Sequence, residues 1–241
     1  MSSSVAASVP LLAVVLGVSY LIGSIPFAYI IVKLVNGEDI TAHGTGNVGS
    51  MNVRRTTGSW GWFALAVLAD GMKGLIPVAV SKAAVAGPFL FIPWSAVLGH
   101  AGGQGQAAWW TLMLLPQMAV AGCVIGHNYS FWMAILKKRF ARTGKGLATG
   151  AGALLAYDWR YFVTAVIVGL AVIALTRYMM AGQVAAAAAL PVAALLLHSS
   201  DWAFALAMGT FVYLAHHKRF VGLLQGKEPK LYIDDRMGPR G

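Results

Sequence analysis

An all-helical, polytopic membrane fold of about seven spans is what this sequence predicts, and three observations predict it. Of 241 residues, 58% are hydrophobic and only 11% are charged, against roughly 25% charged in an ordinary soluble domain. Too little polar material remains to cover a water-facing surface. The apolar residues fall into continuous runs, several near the ~20 residues that cross a bilayer as a helix. The basic residues gather in the gaps between those runs. Together these exclude a soluble globular domain and a disordered chain. The excess of 18 Lys and Arg over 8 Asp and Glu reads as the positive-inside bias of a membrane protein, not as a nucleic-acid surface. A lone cysteine, Cys123, excludes an internal disulfide and a cysteine metal cluster.

The spans are justified in order. The first apolar run is 5–35, and its flank 1–10 lacks the basic opening of a cleaved signal peptide. The second is 58–86, interrupted by Asp70 and Lys73. A Gly- and Pro-rich stretch follows at 87–105. Then come 106–126, the short run Leu147–Tyr157, 161–176, 182–198 and 202–216. The runs are too long and continuous for the alternation of a membrane β-barrel. Seven spans put the two ends on opposite sides. With the N-terminus outside, all basic residues except Lys73, Lys82 and Arg160 lie on or at the inner side, so the bias selects N-out and C-in. The chain then reads as one helical domain, 1–241, with inner loops 36–57 and 127–146 and an inner tail 217–241.

The inner loop 43–58 reads HGTGNVGSMNVRRTTG. Its glycines allow successive backbone N–H groups to curl around an anion. Thr45, Asn47, Ser50 and Asn52 add neutral donors, and Arg54 and Arg55 can grip a phosphate with paired bonds. The composition fits a phosphate cradle, or a flexible loop whose arginines only set topology. The match of Gly44, Gly46 and Gly49 to the dinucleotide fingerprint is rejected, because that motif follows a strand and this one follows a spanning helix. Asp70 and Lys73, three apart, share a helix face and can pair. Within a span such residues are functional suspects, which makes Lys73 a phosphate-binding candidate. Equally, the pair could simply hold helices together. Gly74 beside them would admit a second backbone.

The second inner loop, 126–150, reads GHNYSFWMAILKKRFARTGKGLATG. Arg142, Thr143, Gly144, Lys145, Gly146, Thr149 and Gly150 repeat the first theme. It is not a P-loop, since Arg139 and Gly146 stand where that motif wants Gly and a hydroxyl. It leads into a short Gly-rich helix whose N-terminus can hold an anion by its dipole. His127 reads as a hydrogen-bonded structural residue, and His217, after the last span, as a candidate base. No His, Cys, Asp or Glu set has metal-ligand spacing, and no cofactor is expected. A transporter or binding protein for an anionic solute would use a similar layout. A structural membrane subunit would leave both Gly-rich loops unexplained.

Six segments in order, YLIGSIPFAYI, GTGNVGSMNVRR, DGMKG, GHNYSF, TGKGLATGAG and HHKRFVGLLQGKEPKL, resemble the bacterial acyl-phosphate:glycerol-3-phosphate acyltransferases, the PlsY family. The resemblance runs from about Leu21 to Leu231. It implies a seven-helix inner-membrane enzyme with a cytoplasmic active site and no metal. Such an enzyme moves a fatty acyl group from acyl phosphate to the 1-hydroxyl of glycerol 3-phosphate, giving lysophosphatidic acid and phosphate. Residue by residue it implies catalytic roles for Asn47, Arg55, Lys145 and His217. Gly44, Thr45, Gly46, Asn52, Gly144 and Gly146 would bind substrate phosphate, with Arg54 beside them, and Glu228 would be structural. The sequence departs from the pattern at Phe220, where the family has asparagine. It departs also at Lys218 and Arg219, and at Phe140-Ala-Arg-Thr143, where the family has Phe-Lys-Gly. The stretch 87–105 looks like an insertion. These departures leave room for another acceptor.

Overall fold

The computed structural model describes residues 3–86, 106–197 and 199–228. The 87–105 stretch, His100, His198 and the tail beyond Glu228 lie outside the described residues. The helices are α1 (Ser3–Gly23), α2 (Phe27–Asn36), α3 (Ser50–Thr57), α4 (Trp60–Ala86), α5 (Gln106–Asn128), α6 (Phe131–Lys137), α7 (Leu147–Tyr157), α8 (Trp159–Thr176), α9 (Met179–Leu196) and α10 (Trp202–Leu224), with a 3-10 turn at Ile40–Ala42. Each of the seven apolar runs is helical, and no strand occurs among the described residues. Among the described residues, five stretches are long and apolar enough to cross a membrane: Val9–Asn36, Trp60–Ala84, Met113–Lys137, Trp159–Thr176 and Met179–Leu196.

Three elements differ from expectation. The first run is two helices, because Pro26 has no N–H to donate and its ring disfavours helix in Ile25 before it. Both inner loops carry short helices, α3 and α6. α3 ends at Gly58, whose φ of 70° suits glycine. α6 starts on the Ser130 side chain, which accepts the Met133 N–H. Finally α10 runs on to Leu224, so His216 and His217 sit inside a helix rather than at the start of a tail.

The chain packs as two compact units, 1–159 and 160–241. In the first, α1 lies along α5, and α4 lies along α7 and α5. Bare glycine surfaces let these backbones meet, the usual device where lipid provides no hydrophobic drive. A Cβ on Gly74 would sit 2.0 Å from the Thr149 carbonyl oxygen, and one on Gly152 would sit 2.0 Å from that of Gly71. The close approach expected of Gly74 is therefore made, to α7. A small core of Ala28, Ile31, Val32, Ile40, Val48, Val53, Ala66 and Met133 is fully enclosed. It lies beneath the 43–58 loop and gives that loop a rigid floor. In the second unit α9 packs on α10, with Gly209 against the Ala187 carbonyl.

Candidate active site

The first loop is held from below by one side chain. Asn52, buried on α3, donates its amide to the carbonyls of Ile40 (3.1 Å) and His43 (3.0 Å). Its carbonyl oxygen accepts the Thr45 N–H at 3.3 Å. The backbone turns over it at Gly44, whose φ of 54° is unfavourable with a side chain. A Cβ there would overlap the Asn52 oxygen. Asn52 thus shapes the loop from within. Arg54 and Arg55 part company on α3. The Arg54 guanidinium lies over the Trp60 ring at 4.8 Å. Arg55 is exposed, its stem passing beside Gly44. Thr45 lies exposed on the turn that the Gly46 N–H closes onto the His43 carbonyl, and Asn47 follows it.

The second loop is built on the end of α5. The Thr143 N–H donates to the Asn128 carbonyl at 2.8 Å, and its hydroxyl donates to the His127 carbonyl at 2.9 Å. Gly144 and Gly146 are buried against the same two residues. A Cβ on Gly144 would fall 2.1 Å from His127 Nε2, and one on Gly146 would fall 2.8 Å from the Asn128 amide nitrogen. Gly146 also takes a φ of 76° as it caps α7. Lys145 is therefore presented, half-buried, between two glycines pressed onto α5. The first N–H groups of α7 follow directly, as an anion site at a helix start requires.

The two loops meet. The Val48 N–H of the first donates to the Thr143 carbonyl of the second at 2.8 Å. Gly44, Thr45, Gly46, Asn47, Asn52, Arg54, Arg55, Gly144, Lys145 and Gly146 consequently belong to one region of the first unit. Lys73 comes from α4, not from either loop. It is buried on α4, 2.8 Å from Asp70, and donates to the Ile25 carbonyl at 2.7 Å. Its ammonium thus reaches the last carbonyl before Pro26. Asp70 also lies 3.8 Å from His127 Nδ1, which is 3.1 Å from the Thr149 hydroxyl. His127 is buried and hydrogen-bonded, as read from the sequence.

Two residues were missed in the sequence. Ser130 donates to the Ser24 carbonyl at 2.5 Å, and Ser24 accepts the Phe131 N–H at 3.3 Å. They fasten the Ser24–Pro26 break to the start of α6. The signal was available: a Ser-Ile-Pro triplet inside an apolar run, and a serine directly before Phe131-Trp132-Met133.

In the second unit His217 is exposed on α10, and its Nδ1 is 2.9 Å from the Leu214 carbonyl. A carbonyl only accepts, so Nδ1 carries a proton. His216 is buried. Glu228 receives Arg219 through two contacts, Nε to Oε1 at 2.8 Å and Nη2 to Oε2. Phe220 stands edge-on to Tyr213, ring centroids 5.3 Å apart. Among the described residues no group of three His, Cys, Asp or Glu could hold a metal ion.

A family model described as glycerol-3-phosphate acyltransferase matches residues 13–226. The "Glycerol-3-phosphate acyltransferase" of Desulforudis audaxviator is 33% identical over 220 residues, covering 90% of this chain and 93% of that protein. The protein of the same name from Thermosynechococcus vestitus is 34% identical over 226 residues, covering 91% and 96%. The crystal structure of PlsY, an integral membrane glycerol 3-phosphate acyltransferase, in its glycerol 3-phosphate form, superposes with a TM-score of 0.69. Its identity is 24%, and the match covers 92% of this chain and 96% of that one. Its lysophosphatidic acid form gives 0.67 at 23% identity.

Proposed function

Since the chain belongs to the glycerol-3-phosphate acyltransferase family and is an integral-membrane acyltransferase, we propose that it moves a fatty acyl group from acyl phosphate to the 1-hydroxyl of glycerol 3-phosphate. The products are lysophosphatidic acid and inorganic phosphate, the first acylation of phospholipid synthesis. We place it in the bacterial inner membrane as a single domain of seven helices, with the N-terminus outside and the two Gly-rich loops and the end of α10 facing the cytoplasm. α7 spans about 17 Å at ~1.5 Å per residue, short of the hydrocarbon thickness. With α10 it brings the five long apolar stretches to seven, as a short helix that begins at the site.

The observation that carries this reading is the Val48–Thr143 hydrogen bond. It joins two Gly-rich, basic loops in a protein whose two substrates both carry phosphate. In this reading one loop holds each phosphate. Arg55 and Lys145 supply charge, and the turn at Gly44–Gly46 and the start of α7 supply backbone N–H groups. Acyl phosphate is already activated, so no covalent enzyme intermediate is needed. The acceptor hydroxyl attacks the acyl carbonyl, the C–O bond to phosphate breaks, and inorganic phosphate leaves. The hydroxyl proton passes to the departing phosphate. Asn47 or a loop N–H stabilises the oxyanion. The protein's contribution is chiefly proximity and preorganised charge. The acyl chain lies among the helices, in contact with lipid.

The test is phosphate release by detergent-purified protein given palmitoyl phosphate, with and without glycerol 3-phosphate. Release that needs the acceptor, with lysophosphatidic acid formed, is expected. Folded protein that releases no phosphate, or that carries a phosphorylated solute into liposomes unchanged, overturns the reading. Lys145→Ala is expected to lower kcat/KM by about 100-fold or more, the scale of losing one charged stabilising group.

A further inference from the structure

Thr143 stands where the resemblance expected a Phe-Lys-Gly approach to the second loop. It uses every polar group it has. Its N–H donates to the Asn128 carbonyl at 2.8 Å. Its hydroxyl donates to the His127 carbonyl at 2.9 Å and accepts the Ser130 N–H at 3.3 Å. Its own carbonyl accepts the Val48 N–H at 2.8 Å. The partners come from the end of α5, the start of α6 and the first loop. Ser130 extends the connection to Ser24 at the α1–α2 break. Gly144, Lys145 and Gly146 follow Thr143 directly along the chain.

We propose that Thr143 is the positioning residue that sets the spacing of the two phosphate-binding loops, and through it the alignment of acyl donor with acceptor. This rests on the reading in which each loop holds one phosphate. The physical argument is mechanical. The hydroxyl fixes residue 143 on α5 and α6, which are themselves anchored. The carbonyl of the same residue then holds Val48, and Val48 is buried in the core beneath the first loop. Without the hydroxyl, residue 143 keeps only backbone ties, and the two loops lose their common fixed point. Both substrates should feel this together, because one residue serves both loops. A displacement of about 1 Å at a site of this kind is enough for large rate effects.

The experiment uses the full chain in detergent and measures KM and kcat for palmitoyl phosphate and for glycerol 3-phosphate, with thermal unfolding alongside. Thr143→Val removes the hydroxyl at nearly constant volume, and Thr143→Ser keeps it. The expected result is that Thr143→Val raises both KM values, each by about fivefold or more, and that Thr143→Ser restores them to within about twofold of wild type. Unchanged KM values in Thr143→Val overturn the proposal, whether or not kcat falls, because a merely structural role lowers the active fraction and leaves KM alone. A rise in only one KM, or a failure of serine to restore both, also overturns it. Lys145→Ala separates this failure from that of the underlying reading. If Lys145→Ala raises a KM and Thr143→Val raises none, positioning alone is wrong. If Lys145→Ala also leaves both KM values untouched, the assignment of the loops to phosphate is wrong, and the proposal falls with it.

Discussion

The α4–α7 junction of the first unit and the α9–α10 junction of the second are built from similar parts and hold different contents. Both bring backbones together over glycine. At α4–α7 the glycines are reciprocal: Gly74 faces Thr149 and Gly152 faces Gly71. At α9–α10 Gly209 faces Ala187 and Pro191, with no glycine opposite. Around the first junction lie Asp70, Lys73, His127 and Thr149, all buried. α9 has no charged residue along its length, and the charged residues of α10 lie in its last turns, at Lys218 and Arg219. Close packing alone therefore needs no charge in this protein. The charges at α4–α7 are costly in a span, and they reach the break before Pro26 and His127 at the end of α5.

Removing Asp70 should be the most damaging single change. Asp70→Ala leaves the Lys73 ammonium buried without its counter-ion, 2.7 Å from the Ile25 carbonyl and 5.8 Å from the Phe27 ring centroid. Breaking a buried pair from one side costs about 3–5 kcal/mol. The double variant Asp70→Ala/Lys73→Met removes the stranded charge and should recover most of the thermal stability in detergent. It should not recover full activity, because the brace on Ile25 is gone as well. Equal stability of the single and double variants would mean that charge is not what distinguishes this junction.

Next in size is the contrast between the glycines themselves. In Gly152→Ala the new methyl meets a backbone carbonyl at 2.0 Å, so α4 and α7 must part. Overpacking of this kind costs about 3 kcal/mol. In Gly209→Ala the nearest atom is the Ala187 carbonyl at 2.8 Å, and a smaller shift suffices. Alanine's better helix propensity, up to about 1 kcal/mol, offsets part of that, so the net loss should stay near 1 kcal/mol or below. Thermal unfolding of the two variants compares the junctions directly. Activity should fall with Gly152→Ala, which shifts the start of α7, and far less with Gly209→Ala.

Much of this was legible in the sequence, for reasons that are local. Each apolar run became a helix because run length and backbone satisfaction in lipid leave few other choices. The Asp70–Lys73 pair follows from a spacing of three. Gly74 announced a close neighbour, though not which one. What stayed hidden depends on contacts between distant segments. His127 looks like an isolated histidine until Thr149 and Asp70 arrive from other helices. Nothing near Thr143 says that Val48 will meet its carbonyl. The sequence cannot show that the Lys73 ammonium reaches the Ile25 carbonyl, because that contact joins distant parts of the chain. α3 was read as loop because its eight residues carry arginines and hydroxyls and little apolar signal. It forms on the floor supplied by Val53 and Ile40.

The smallest expected effect is at the end of α10, where charge is used without deep burial. Arg219 and Glu228 form a two-contact pair with good geometry. Yet about a third of the Arg219 side chain is exposed (30%), so water and salt screen it. The turn that Glu228 closes has its own support, since the Lys227 N–H donates to the Gly222 carbonyl at 2.8 Å. Glu228→Gln should thus cost under about 1 kcal/mol, and the loss should shrink further in high salt. A loss as large as that of Asp70→Ala, persisting in salt, would erase the distinction drawn between the regions. It would mean that the end of α10 depends on charge as strongly as the buried α4–α7 junction does. A small, salt-sensitive loss would instead locate the protein's dependence on ion pairs in the one junction that carries the two loops.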